Sequence, residues 1–244
     1  MAAKDRLYET TITEPGDFVF DERVVSVFPD MINRSVPGYG TIVPMIGMLA
    51  RRYAVPETTL YDLGCSLGAA TLAMQQAVRA PGVKLIAVDN SEEMVAGLRA
   101  ILRQQPGERL PPVEVLEQDV LATSIENASV SVLNFTLQFL DPDSRQDLLK
   151  TVADGLVPGG VLLLSEKVRF DDPREEALQT EWHHDFKRAQ GYSDLEIARK
   201  RDALERVMIP ETFETHRARL ERAGFRMVYR WFQGFNFQSM VAFR

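Results

Sequence analysis

Two rhythms of apolar residues alternate along this chain. Short, largely apolar runs occupy residues 59–63, 84–89, 113–116, 129–135 and 160–164. The second of them contains Leu85, Ile86, Ala87 and Val88 with no polar position between. A strand covered on both faces needs such continuity, whereas a half-exposed strand alternates. Between these runs, apolar residues recur at helical spacing. Met94, Val95, Leu98, Ile101 and Leu102 form one stripe, and Ser91 is placed to cap it. A further helix is predicted over 143–156, closed by Pro158, Gly159 and Gly160. Strand and helix in this alternation predict a parallel sheet with right-handed crossovers.

The end of the chain changes pattern. A helix predicted over 211–223 stops at Gly224, and residues 225–231 and 237–243 then read as two strands. Only residues 232–236 separate them, too few for a helical crossover, so they should pair antiparallel. Residues 1–55 and 167–210 fall outside the alternating core. The first is rich in Phe, Tyr and Pro, and the second has the length of a helical hairpin. They either cover the sheet edge or roof a crevice at the carboxyl ends of the strands, where open α/β sheets bind ligands. The expectation is one α/β domain over 56–244, with a helical cover over 1–55 and a helical insertion at 167–210.

Composition narrows the partners more than the fold. Hydrophobic residues make up 45% and charged residues 26% of 244, an ordinary globular balance that excludes low-complexity or disordered chains. The net charge is −7, against the basic surplus that phosphate neutralisation demands, so direct binding to nucleic acid is not expected. Cys65 is the only cysteine, which leaves no intrachain disulfide or zinc-cysteine site and suits a reducing cytoplasm. No apolar run approaches the ~20 residues that span a bilayer. Residues 1–8 hold Lys4, Asp5 and Arg6 without an apolar stretch behind them, so a secretory signal is not expected.

The richest motif runs from Asp62 to Thr71, where the first strand turns into a helix. Gly64 permits a tight turn and close ligand approach, with Cys65 and Ser66 following it. Gly68, Ala69 and Ala70 let the helix pack closely. The loop lacks the middle glycine of the dinucleotide pattern and carries an acid two residues before Gly64. That acid disfavours a phosphate and favours an ammonium group. Asp89 and Asn90 end the second strand, where a carboxylate can accept both hydroxyls of a ribose. Asp119 follows the third strand, where its side chain and the Val120 N–H could read an adenine edge, and Asn134 ends the fourth. Singly, each acid could be a helix cap. Together, at successive strand ends, they predict a nucleoside pocket.

This pattern resembles the S-adenosylmethionine-dependent methyltransferases. The resemblance implies a Rossmann-like fold with a mostly parallel seven-stranded sheet and a C-terminal antiparallel hairpin. It places Asp62 and Gly64 at the methionine part, Asp89 at the ribose and Asp119 at the adenine. Longer stretches are similar to the carboxy-S-adenosylmethionine synthases of bacterial tRNA wobble modification. They are residues 20–24, 27–31, 34–39, 134–140, 183–189 (His183 to Ala189), 231–233 and 235–237. That family implies transfer of the ring carboxyl group of prephenate to the sulfonium methyl of S-adenosylmethionine, giving phenylpyruvate and carboxy-S-adenosylmethionine. A sulfonium acidifies its methyl protons, so an ylide can capture carbon dioxide in a closed pocket. A partner carboxymethyltransferase would then act on tRNA. The resemblance also implies a cytoplasmic homodimer and no metal.

Arg199, Lys200 and Arg201 raise the question of which cation holds the carboxylate. Ser193 and Glu196 form a capping-box pattern, and from there Ile197, Leu204 and Met208 share a helical face with Arg201, while Arg199 points away. An arginine on an apolar face needs an anion, either a structural acid or a ligand. The family resemblance selects the ligand carboxylate for Arg201, and it puts Tyr39, read here as lying on a loop, in the same pocket. His183 and His184 are adjacent and His216 is distant, so no metal-ligand spacing arises, and Cys65 has no histidine placed beside it for a catalytic thiolate. The general base stays unassigned. Two other readings remain: an ordinary methyltransferase for a small molecule or RNA, and a non-catalytic member that binds a partner.

Overall fold

The computed structural model describes residues 22–105, 110–204 and 207–244. Residues 1–21 of the predicted cover, with Phe20 and Asp21 of the first family-like stretch, lie outside them. Seven strands form one sheet: β1 (Thr59–Leu63), β2 (Lys84–Asp89), β3 (Val113–Glu117), β4 (Ala128–Asn134), β5 (Leu156–Lys167), β6 (Met227–Gly234) and β7 (Phe237–Phe243). Their order is β3-β2-β1-β4-β5-β7-β6. The first five are parallel, and β7 runs antiparallel between β5 and β6. Order reverses at β1, which pairs β2 on one side and β4 on the other. Such a switch point opens a crevice beyond the carboxyl ends of the strands.

The continuous apolar runs are explained by helices on both faces. On one side α2 (Tyr39–Tyr53) and α3 (Ala69–Ala77) lay Ile42, Ile46, Ala70 and Met74 over Leu60, Leu85, Val132 and Leu163. On the other, α5 (Pro142–Gly155) and α8 (Phe213–Ala223) lay Leu149, Val152 and Leu220 over Leu63, Leu133, Leu164 and Met240. Alternate residues of each strand thus face opposite cores. Helix α4 (Glu92–Arg103) has Ser91 as its N-cap, accepting from the Met94 N–H at 3.2 Å, and buries Leu98 with Ala87. The remaining helices are α1 (Glu22–Ser35), α6 (Pro173–Ala189) and α7 (Asp194–Leu204). No described helix is long and apolar enough to cross a membrane.

Several boundaries differ from the sequence reading. The hairpin turn is Phe235 and Asn236 alone, because a bulge between Arg230 and Phe232 carries β6 on to pair Gly234 with Phe237. Strand β5 begins at Leu156, directly on the end of α5. Helix α8 begins after Thr212, which caps it through the Thr215 N–H, while Glu211 bridges to Val168. Tyr39 is the first residue of α2, not a loop residue, since Gly38 takes the left-handed φ of 79° that starts the helix there.

Candidate functional site

Four sequence-predicted residues end up along one edge of the sheet. Asp62 lies near the carboxyl end of β1, Asp89 ends β2, Asn134 ends β4, and Asp119 follows β3. Asp62 is 2% exposed, and its carboxylate oxygen Oδ2 accepts from the Thr71 N–H at 2.8 Å and the Thr71 hydroxyl at 2.5 Å. The other oxygen, Oδ1, is buried without a hydrogen-bond partner among the described residues. Burial raises the carboxyl to about 6, with Asp89 adding to the shift and the Thr71 bonds opposing it. A buried acceptor left open in this way is costly unless a donor arrives from outside the chain. A cation such as an ammonium group would supply both the hydrogen bond and the charge. Asn134 presents a second buried open acceptor, Oδ1, from the neighbouring strand.

The loop from Gly64 to Gly68 follows a tight path, with left-handed φ at Gly64, Ser66 and Gly68. Gly64 has φ 79°, and a Cβ there would sit 2.4 Å from the Thr136 side chain. The N–H groups of Gly64 and Cys65 both reach the Val88 carbonyl, at 2.8 and 2.9 Å. Ser66 takes the left-handed φ of 51° and donates its N–H to Asp89 Oδ2 at 2.8 Å. Asp89 Oδ1 accepts from the Ser91 N–H at 3.0 Å. Two amides therefore fix the Asp89 carboxylate, and each oxygen keeps acceptor capacity for a diol. Burial raises its proton affinity against these amides.

The other predicted residues divide. Tyr39 is buried, its ring 6.3 Å from that of Phe135, and burial with nearby Asp62 raises the phenol, which stays a hydrogen-bond donor. Cys65 is buried and its thiol raised by burial, then by Asp62 and Asp89, which opposes a thiolate. Asn90 is exposed. Asp119 is exposed and caps a short 3-10 turn through the Leu121 N–H at 2.8 Å, while Val120 is buried beside it. The helix face expected around Arg201 is a correction. The capping box holds, with the Ser193 N–H on Glu196 at 2.7 Å. The predicted apolar face does not: Ile197 is buried, but the Arg201 side chain is 49% exposed beside Asp202 at 3.2 Å, and Arg199 is the less exposed of the two. Met208, at one end of the expected stripe, is not helical, so the stripe is incomplete. The side chain of Leu204 lies outside the described residues.

The sequence reading missed the supports of the loop after β4. Phe135 holds a φ of 63°, a costly conformation for a bulky residue. Glu166, wholly buried on β5, accepts from the N–H groups of Leu137 at 3.0 Å and Gln138 at 2.9 Å. Burial raises Glu166 to about 8, with Arg145 opposing. Arg145, itself fully buried, donates to the carbonyls of Leu140 and Ile209 and pairs with Glu211, which also binds Arg219. An acid at the end of the apolar run from Val161 to Leu164 was the available signal for Glu166.

A family model described as a methyltransferase domain matches residues 60–160. Solved structures give the same architecture. Human N-acetylserotonin methyltransferase, solved with S-adenosylmethionine, aligns with a TM-score of 0.62 at 18% identity, over 91% of this chain and 55% of that one. The cyclopropane synthase of Mycobacterium tuberculosis aligns at 0.56 and 19%, over 77% and 62%. At such identity the fold alone is shared. Curated relatives are far closer. The carboxy-S-adenosyl-L-methionine synthase of Trichlorobacter lovleyi is 56% identical over 98% of both chains. That of Aeromonas salmonicida is 54% identical over 100% of this chain and 98% of its own.

The chain belongs to the carboxy-S-adenosyl-L-methionine synthase family. The match runs over nearly the whole chain, the α6–α7 insertion as well as the sheet. An ordinary methyl transfer is correspondingly disfavoured. Among the described residues no group of three His, Cys, Asp or Glu side chains could hold a metal ion.

Proposed function

We propose that this member of the synthase family converts S-adenosylmethionine and prephenate to carboxy-S-adenosylmethionine and phenylpyruvate, as one step of wobble-uridine modification in tRNA. The observation that carries the reading is the 53–56% identity to curated synthases over nearly the full chain. The open Asp62 oxygen fits the ammonium of the methionine part, and the amide-fixed Asp89 carboxylate fits the ribose diol. Asp119 and Val120 are assigned to the adenine edge, Asn134 and Tyr39 to the reacting end. The charge of −7 suits a protein that handles small molecules and leaves tRNA to a partner.

The reaction balances without an oxidant. The ring carboxyl leaves prephenate as carbon dioxide, its bonding electrons aromatise the ring, and hydroxide departs. The methyl carbon loses a proton, which leaves with the hydroxide as water, and forms a carbon–carbon bond to the carbon dioxide. Water must be kept from that carbon, and the rings of Tyr39, Phe135 and Phe237 supply an apolar wall. Arg201, half-exposed on α7, is assigned to the new carboxylate, in its own crevice or that of a second copy in a homodimer.

The test is the mass of the nucleoside formed from S-adenosylmethionine and prephenate. A product heavier by one carboxyl group is expected. S-adenosylhomocysteine instead, from any acceptor, would return the protein to ordinary methyl transfer.

A further inference from the structure

Five described residues other than glycine have a positive φ: Glu57, Ser66, Asn127, Phe135 and Phe235. Four of them are exposed or partly buried, and Phe135 is the buried one. A left-handed backbone is unfavourable for a bulky side chain and persists only where the surroundings over-determine it. Here they do. The Phe135 N–H donates to the Ser165 carbonyl at 2.7 Å, and its own carbonyl accepts from the Gln138 side-chain amide at 3.5 Å. The Thr136 hydroxyl donates to the Leu63 carbonyl at 2.9 Å. The next two N–H groups, of Leu137 and Gln138, are held by Glu166. Every residue from Phe135 to Gln138 is therefore tied to β1 or β5.

Filling the core does not require such a corner. Val132 and Leu163 fill the same core from ordinary strand positions. What the corner secures is the place of one ring, directly after Asn134 at the carboxyl end of β4. That ring stands between Tyr39, at 6.3 Å, and Phe237, at 5.9 Å. Tyr39 in turn lies near enough to Asp62 to feel its charge. Thr136, in the same corner, occupies the space a Gly64 Cβ would need, 2.4 Å from it. The corner thus touches the glycine loop on one side and Tyr39 on the other, which are the groups assigned above to the methionine part and the reacting end.

We propose that Phe135 is a specificity-determining residue: its ring, fixed by the strained corner, keeps water from the methyl carbon, so that the carbanion is carboxylated and not reprotonated. The inference rests on the synthase reading above and deepens it. In the coupled reaction the methyl carbon gives up its proton and bonds to carbon dioxide. In the uncoupled one it takes a proton back from water and S-adenosylmethionine is re-formed. Prephenate and a solvent proton then become phenylpyruvate, carbon dioxide and water. The two outcomes consume the same substrate and differ only in what reaches that carbon first, which is what a wall against water controls.

The experiment uses the full-length protein with S-adenosylmethionine and prephenate in deuterated buffer. Wild type, Phe135→Leu and Thr136→Val are compared by phenylpyruvate formed above the enzyme-free rate, by carboxylated nucleoside formed, by deuterium in the methyl group of recovered S-adenosylmethionine, and by thermal melts. Phe135→Leu keeps an apolar side chain without the ring. Thr136→Val keeps the shape beside Gly64 without the bond to Leu63. Wild type should form the two products in equal amounts. In Phe135→Leu phenylpyruvate should exceed the carboxylated nucleoside by about twofold or more, with deuterium entering the methyl group. Calorimetric titration should find its S-adenosylmethionine affinity within about threefold of wild type, because charge-assisted bonds to the acids are untouched. Thr136→Val should shift the ratio in the same direction. Products that fall together at an unchanged ratio would make Phe135 a packing residue and overturn the proposal. Should Phe135→Leu fail to fold, the ratio in Thr136→Val decides. A wild-type protein that makes no carboxylated nucleoside refutes the synthase reading and the partition with it, whereas coupled turnover in wild type and variants alike overturns the partition only.

Discussion

At the scale of single residues, the site is a set of acceptors whose protein partners stop short of satisfying them. Asp89 is held by the amides of Ser66 and Ser91, and we propose that it accepts the ribose diol. Replacing it by alanine should weaken S-adenosylmethionine binding by about a hundredfold or more, since two bonds to a charged group are lost at once. Calorimetric titration of the folded variant checks this, and unchanged affinity would remove the ribose assignment. Arg201→Ala should leave S-adenosylmethionine affinity nearly intact and weaken carboxy-S-adenosylmethionine about 10- to 100-fold. Equal losses for the two nucleosides would mean a structural role. Arg199→Ala, less exposed, needs a melting curve beside its binding curve. The acids were legible because chemistry-bearing residues at strand ends are readable from spacing alone. The faces of α7 were not. The stripe that placed Arg201 inward needed a helix running to Met208, and Met208 is not helical.

At the scale of elements, continuous apolar runs and short connections made the sheet readable, including the antiparallel pairing of β6 with β7. The clamp beneath the loop after β4 was not readable, since its parts are remote in sequence. Arg145 on α5 reaches the Leu140 and Ile209 carbonyls and Glu211, and thereby joins the end of the insertion to the loop that carries Asn134 and Phe135. A fully buried arginine with these bonds is specified by geometry, not by periodicity. Arg145→Met fills the space but leaves buried carbonyls without donors. It should cost about 3 kcal/mol or more, on the usual cost of breaking a buried ionic network from one side. Chemical denaturation measures it. A variant as stable as wild type would show that the clamp merely occupies space.

At the scale of the whole molecule, the buried titratable groups set how stability varies with pH in the ligand-free protein. Asp62 and Glu166 have raised proton affinity, so the folded state holds more protons than the unfolded chain. Their contribution falls as pH rises from the usual carboxylate range to about 6 for Asp62 and about 8 for Glu166. His183 and His216, lowered to about 2 and about 4 by burial, act oppositely: their contribution is lost as pH falls below 6.5. Between roughly pH 4.5 and 6 these slopes oppose one another. Above about 6.5 the histidines are neutral in both states and Asp62 is ionised in both, which leaves Glu166, raised to about 8, as the leading group among the described residues. Stability should therefore decline from pH 6.5 to 8 by about 2 kcal/mol, at ~1.4 kcal/mol per pH unit for one proton. For a chain of this size that is roughly 4–8 °C in melting temperature. Glu166→Gln should melt lower at pH 6.5, because one of the two amides at Leu137 and Gln138 then meets an NH2 group, yet its melting temperature should be flat across the same interval. A wild-type curve that is already flat would place the Glu166 carboxylate in its ionised form throughout. The Arg145 guanidinium would then be the stronger influence on that buried acid.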